Sequence, residues 1–255
     1  MTLTADRISV TLGSRPILGG VSVSVAAGEL VALLGPNGCG KTTLLRAVAG
    51  VQACAGTLSL DGAAYDVIGP AALAKRIAYL PQSPTVPAGL RVRELLLLGR
   101  LPHRNVLGLE TRRDQQIAAA VAADLELTDL LGRPLDTLSG GQRQRAFIAR
   151  CLVQEPSVLL LDEPATYLDL RHQVDLLALL RRLATEKQLA ILMASHDLNL
   201  TATHCDRMVL MDGGAVVSEG PPDTVLDPAV LQSVFGVPMK RVNVDGVAMV
   251  VPSAG

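Results

Sequence analysis

The chain has 255 residues with 23 basic and 24 acidic side chains, a net charge of −1, so no overall field draws it to nucleic acid or an acidic membrane. Hydrophobic residues make up 49% and charged residues 18%, which excludes a disordered or low-complexity chain; with 2% aromatics and no Trp, the core has to be built from Ala, Val and Leu. Cys39, Cys54, Cys151 and Cys205 are scattered with no Cys-x-x-Cys pair, so neither a disulfide framework nor a zinc site is expected. No apolar run approaches the roughly 20 residues of a membrane span. Residues 21–35 are interrupted by Ser22, Ser24 and Glu29, and Asp6 and Arg7 stand where a signal peptide would need its apolar region, so an intracellular chain is expected.

In chain order, residues 21–25 alternate Val and Ser and predict a half-exposed strand. Residues 30–34 are apolar throughout and predict a strand buried on both faces, as in a parallel sheet covered by helices. This strand runs into Gly35-Pro36-Asn37-Gly38-Cys39-Gly40-Lys41-Thr42-Thr43 and then a helix to about residue 49. Further strands are predicted over 57–60, 77–80, 158–161, 189–194 and 208–211. Helical patterns fill much of 91–154, with 114–124 rich in Ala and Gln, and helices are also predicted over 170–187 and about 198–205. Asp212-Gly213-Gly214 and, near the end, Asp245-Gly246 read as hairpin turns. Strands and helices alternate, so the fold class is α/β, interrupted by a helical block between about 85 and 155 that is entered through the Pro/Gly-containing stretch 81–89.

Three segments carry phosphate chemistry. Gly35-x-x-x-x-Gly40-Lys41-Thr42 between a strand and a helix is a P-loop: the glycines let backbone N–H groups converge on phosphate oxygens, Lys41 adds a charge for the β- and γ-phosphates, and the Thr42 hydroxyl suits Mg²⁺. The buried strand 158–161 ends in Asp162-Glu163-Pro164, with Asp162 placed to hold Mg²⁺ and Glu163 to polarise an attacking water. Leu138-Ser139-Gly140-Gly141-Gln142 opens a helix carrying Phe147, Ile148, Cys151 and Leu152 on one face. By itself this reads as a capped helix; it is also a second anion-seeking end, because its first N–H groups point outward. One triphosphate is a small target already wrapped by the P-loop, so two such ends suggest a symmetric dimer in which each chain's second end covers its partner's nucleotide. His196, in Ala194-Ser195-His196-Asp197, closes another buried strand and is placed to face a ligand. His103, His172 and His204 receive no functional assignment.

Together these motifs resemble, in family order and from about residue 3 to 235, the ATPase subunit of ABC transporters. The resemblance implies a RecA-like P-loop NTPase core with an antiparallel β part and an inserted helical subdomain. As one ABC ATPase domain over 1–255, it would divide into a core of about 1–84 and 156–235, a helical subdomain of about 85–155, and a C-terminal β-rich extension of about 236–255. By likeness, Gly35, Pro36, Asn37, Gly38, Cys39, Gly40, Lys41, Thr42 and Thr43 form Walker A, and Ser139, Gly140, Gly141 and Gln142 follow Leu138 as the signature. Asp162 and Glu163 are Walker B, Leu168-Asp169 the D-loop, His196 the switch histidine, and Gln82 the Q-loop glutamine that touches Mg²⁺ and faces the membrane partner. The family hydrolyses ATP with Mg²⁺ at the cytoplasmic face of the membrane. Its working form is two cassettes sandwiching two ATP molecules, joined to integral permease subunits and indirectly to a substrate-binding protein, with no nucleic acid.

A finer likeness lies in Glu163-Pro164-Ala165-Thr166-Tyr167-Leu168-Asp169 with His172-Gln173, and in Leu98-Gly99-Arg100-Leu101-Pro102-His103. Both resemble ATPases of iron-siderophore, haem and cobalamin importers, with ferric siderophore ahead of the other two. One departure stands out: the family usually places an adenine-stacking aromatic about thirty residues before the Walker A lysine, and Leu12 stands there, with Arg15 three residues on. A soluble ABC ATPase acting on nucleic acid would carry a long coiled-coil insertion or two cassettes, and this chain has neither. A P-loop kinase or GTPase switch would leave the signature and His196 unexplained.

Overall fold

The structure, a computed structural model, describes residues 1–104, 109–244 and 246–253. The chain opens with β1 (Thr2–Leu12), β2 (Arg15–Ala26) and β3 (Leu30–Leu34), then α1 (Lys41–Val48), β4 (Ala55–Leu60) and β5 (Ala63–Ala64). Two short helices, α2 (Tyr65–Ile68) and α3 (Pro70–Arg76), lead to β6 (Ile77–Leu80). Among the described residues, only helical elements follow before the next strand, chiefly α4 (Val92–Leu98), α5 (Arg112–Asp124) and α6 (Gly140–Val153). Then come β7 (Val158–Asp162), α7 (Leu170–Lys187), β8 (Ala190–Ala194), α8 (Leu198–Ala202), β9 (Arg207–Asp212) and β10 (Ala215–Gly220). The chain closes with α9 (Pro222–Val225), α10 (Pro228–Phe235), β11 (Met239–Val244) and β12 (Val247–Pro252).

The central sheet has the order β10-β9-β3-β8-β7-β6, parallel from β9 to β6 with β10 antiparallel at its edge. Its middle strands are apolar at every position because both faces are covered. Leu30, Ala32 and Leu34 join a core with residues of α4–α7, while Val31 and Leu33 face the other way, onto α1, β1 and β2. Each such Leu or Val, taken out of water, contributes about 1.5–3 kcal/mol. A second sheet, β2-β1-β4-β5, is antiparallel and supplies the opposite wall of that second core through Val21, Val23 and Val25.

The α/β class, the antiparallel part and the helical block match the expectation, with differences at particular elements. The sequence reading passed over β1 because its alternation changes phase: Leu3 and Ala5, then Ile8 and Val10, are the buried residues. Its pairing with β2 shifts register between Ala5 and Ile8, where Arg7 takes φ 51, so a bulge resets which side chains face inward. The expected helix to about residue 205 stops at Ala202, where the N–H groups of His204 and Cys205 both return to the Thr201 carbonyl. Asp212 and Ala215 pair across the first expected hairpin. In the second, Val244 pairs with Val247 and Gly246 takes φ 84, while Asp245 lies outside the described residues.

Candidate functional site

Three parallel strands end side by side, and each delivers a segment singled out in the sequence. β3 runs into the P-loop, β7 ends on Asp162 ahead of Glu163, and β8 leads to Ser195 and His196. Ligands of open α/β sheets bind outside such carboxyl ends. Gly35 has to be glycine: at φ 138, a Cβ would overlap the Met211 carbonyl oxygen of β9. The loop then curls so that Lys41, 5% exposed, donates from Nζ to the Gly35 and Pro36 carbonyls at 2.7 and 3.1 Å.

Thr42 Oγ1 donates to Asp162 Oδ1 at 3.0 Å, and the Tyr79 hydroxyl of β6 approaches Asp162 Oδ2 at 3.4 Å. Asp162 is buried, and burial pushes its carboxyl above the usual range; the Thr42 hydrogen bond opposes that push and the neighbouring Glu163 charge adds to it. With the Gln82 amide nearby, the donors at this point are hydroxyl, carboxylate and carbonyl oxygens, the set that fits Mg²⁺. Among the described residues no group of three or more His, Cys, Asp or Glu could hold a metal by itself. Mg²⁺ bound by one or two carboxylates plus substrate phosphates needs no such cage.

Glu163 stands in the left-handed region at φ 48, its N–H donating to the Ala194 carbonyl at 3.2 Å. A non-glycine residue there stores on the order of 1–3 kcal/mol, which surrounding structure must hold. One carboxylate oxygen, Oε2, accepts from Gln82 Nε2 at 3.0 Å and from Thr166 Oγ1 at 3.1 Å, and lies 3.8 Å from His196 Nδ1. Gln82, Thr166 and His196 come from three separate segments, so their convergence on one oxygen is a product of the fold. A cleft of about 480 Å³ opens over this site, lined among others by Arg15, Asn37, Lys41, Thr42, Gln82 and Glu163. Pro36, Cys39 and His196 are not among its lining residues, although Cys39 is buried 3.9 Å from Lys41 Nζ and His196 touches Glu163.

The signature residues stand elsewhere. Ser139 caps α6: its Oγ accepts from Gln142 N at 3.3 Å, while Gln142 Oε1 accepts from Ser139 N at 3.2 Å. Gly141 abuts the His172 ring so closely that a Cβ would overlap it. His172 Nδ1 is 2.7 Å from Asp169 Oδ1, which caps α7 by accepting from His172 N at 2.9 Å and thereby holds its carboxyl below the usual range. Ser139, Gly140, Gly141, Gln142 and Asp169 are all absent from the lining of the P-loop cleft. The fold thus brings the P-loop, Asp162, Glu163 and Gln82 together within one chain, while Ser139 to Gln142 and Asp169 do not line their cleft.

The sequence reading missed the Tyr79 hydroxyl, the Thr166 hydroxyl and the exposed Tyr167, 87% accessible at φ 70 beside Asp169. Only Thr166 had a local signal, lying three residues after Glu163. The unassigned His103 bonds the Gln154 carbonyl at 2.8 Å. Arg100, 3% exposed, donates to Asp114 Oδ1 and to the Val153 carbonyl, both at 2.8 Å, tying α4, α5 and α6 together.

The family described as ABC transporter matches this chain over residues 18–166. The chain is 39% identical to the iron(3+)-hydroxamate import ATP-binding protein of Bacillus subtilis strain 168, over 92% of this chain and 88% of that one. It is 40% identical to the hemin import ATP-binding protein of Rhodococcus jostii strain RHA1, over 99% of this chain and 86% of that one. A solved ATP-binding cassette of an ABC transporter, in its ADP conformation, aligns with a TM-score of 0.83 at 27% identity, covering 92% of this chain and 99% of that one.

Proposed function

The chain belongs to the ABC transporter family, and from that premise we propose that it is the ATP-hydrolysing subunit of an importer whose cargo is a ferric siderophore. The observation that carries the catalytic part is the convergence of Gln82, Thr166 and His196 on the carboxylate of Glu163, beside a P-loop cleft. Lys41 and the P-loop N–H groups hold the β- and γ-phosphates. Thr42, Asp162 and Gln82 would hold Mg²⁺, which when bound neutralises charge building on the phosphate oxygens. Glu163 accepts the proton of a water whose oxygen attacks the γ-phosphorus. The bond from that phosphorus to the bridging oxygen breaks, and ADP leaves. Gln82 and Thr166 orient the carboxylate, and His196 faces the γ-phosphate.

Ser139, Gly140, Gly141, Gln142 and Asp169 serve the nucleotide of a second copy, which accounts for their absence from the lining of their own chain's cleft. The exposed Tyr167 and Leu170 on either side of Asp169 suit burial against that copy. In this reading the core comprises about 1–84 and 156–235, with 85–155 as the helical subdomain and 236–255 as the extension. The permease docks near residues 82–103, on the cytoplasmic face of the membrane, and a substrate-binding protein works indirectly through it. No described helix is long and apolar enough to cross a membrane, so the cargo path falls to the permease. Ferric siderophore as cargo is supported by the hydroxamate relative; the hemin relative supports haem as the second reading.

The test is reconstitution with the permease and binding protein, followed by uptake of a ferric hydroxamate, haem and cobalamin. ATP-dependent uptake of the ferric chelate is expected. Uptake of haem or cobalamin instead would replace the cargo, and no ATP-dependent uptake of any would overturn the importer reading.

A further inference from the structure

One turn after His196, the chain is tied to its own far end. Asn199 of α8 donates from Nδ2 to the Val250 carbonyl at 2.9 Å and accepts the Val250 N–H on Oδ1 at 2.8 Å. A side-chain amide carries one acceptor and two donors, so it can satisfy both groups of one strand residue at once, as a neighbouring strand would. The hairpin it grips is also held from elsewhere: Ala248 and Val250 of β12 are 2% and 3% exposed in the main core, β12 packs on α9 as well as on α8, and β11 packs on α10. α8 has five residues, too few to be stable alone, so its position depends on what it packs against: Leu198, Leu200 and Ala202 on the main core, and Val250 through Asn199.

The other face of α8 holds the histidine loop. Asp197 Oδ1 accepts from Leu200 N at 2.8 Å, and the fully buried Thr201 hydroxyl bonds the Asp197 carbonyl and lies 3.1 Å from Ser195 Oγ. Ser195 Oγ accepts from Asp197 N at 3.2 Å, and Ser195 N donates to the Leu33 carbonyl at 2.9 Å. Both neighbours of His196 are therefore fixed, while its own side chain is 56% exposed and reaches Glu163 at 3.8 Å. We propose that Asn199 is a positioning residue for hydrolysis: the hairpin β11–β12 holds α8 through it, and α8 aims His196 at the reacting phosphate. This rests on the reading of His196 as the residue facing the γ-phosphate. It gives the C-terminal hairpin a role in the reaction that no motif assigns to it.

The test is a double-mutant cycle on the full chain, comparing wild type, Asn199→Ala, His196→Ala and the double variant by steady-state ATPase assay. Asn199→Ala should lower kcat by about tenfold or more, within the range of about 10²-fold for small misplacements, with KM for ATP little changed. In the His196→Ala background the same substitution should have almost no further effect, because coupled residues are not additive. Asn199→Asp, which keeps the acceptor and loses the donor, should fall between, and it carries the same comparison should Asn199→Ala fail to fold. An undiminished effect of Asn199→Ala in the His196→Ala background, or normal kcat in Asn199→Ala beside a slow His196→Ala, would overturn the proposal alone. Normal kcat in His196→Ala would overturn the histidine's role and the proposal with it.

Discussion

Thr42 and Asp162 lie 120 positions apart in sequence, and their side chains meet at 3.0 Å. The hydroxyl lies in the first turn of α1 and the carboxylate ends β7, so this contact joins the P-loop to the strand that leads to Glu163. Burial pushes the Asp162 carboxyl up, and a cation bound there would pull the other way by favouring the charged form. Lys41→Ala should abolish ATP binding or hydrolysis by removing the charge facing the phosphates. Thr42→Val, which is close in shape, should instead raise the Mg²⁺ concentration needed for half-maximal turnover. Near-normal turnover in Lys41→Ala, or an unmoved Mg²⁺ requirement in Thr42→Val, would contradict these roles.

The separation of Ser139 from the P-loop cleft leads to a test by mixing. Ser139→Arg should block hydrolysis although its own chain's Walker A is intact. Combined with Lys41→Ala chains, it should restore part of the activity, because in a mixed dimer one composite site carries both defects and the other neither. No recovery at any mixing ratio, in dimers shown to have formed by light scattering, would contradict shared sites.

Leu12 and Arg15 are cross-strand partners in the β1–β2 hairpin, so their side chains share a face, and Arg15 lines the nucleotide cleft. A guanidinium plane can stack on a base. Stacking on an aromatic contributes roughly 1–3 kcal/mol per base in single-strand binders. Arg15→Ala should weaken ATP binding, wild-type ATP should be preferred over GTP only weakly, and Leu12→Tyr should tighten ATP by up to about tenfold, equal to about 1.4 kcal/mol. Titration of both nucleotides against the three proteins checks this. Strong ATP selectivity unmoved by either substitution would place base recognition on other residues.

The strand runs, the P-loop, the paired carboxylates and α7 were legible because each is a local pattern: a buried run, a glycine spacing, a helical period. β1 was not, since the bulge at Arg7 splits its alternation into two halves of opposite phase. Within the site, residue types could be read but their meetings could not. Thr166 lies three residues after Glu163, but nothing near Gln82 in sequence says that it reaches the same oxygen, and nothing near Tyr79 points to Asp162. The Arg100 network and the grip of Asn199 on Val250 likewise join segments whose approach depends on the finished packing.

Asp114 gives a pH test of that packing. Burial pushes its carboxyl up, but hydrogen bonds from Arg100 and Thr111 outweigh it and hold the group down from 3.8 to about 2. A folded value below the unfolded one means the contact stabilises fully above the unfolded value and is lost as pH falls from about 4 towards 2. Wild type should therefore lose urea stability across that window more steeply than Asp114→Asn. Parallel losses in the two proteins would contradict the assignment.

The role of Glu163 as base for ATP hydrolysis at the strand-end site is checked by the rate of phosphate release from Mg-ATP by wild type and Glu163→Gln. Loss of a general base typically costs about 10²–10⁴-fold. The expected result is a fall in that range with ATP still bound tightly, the variant accumulating as an ATP-dependent dimer in light scattering. Phosphate release at the wild-type rate from Glu163→Gln would contradict that role.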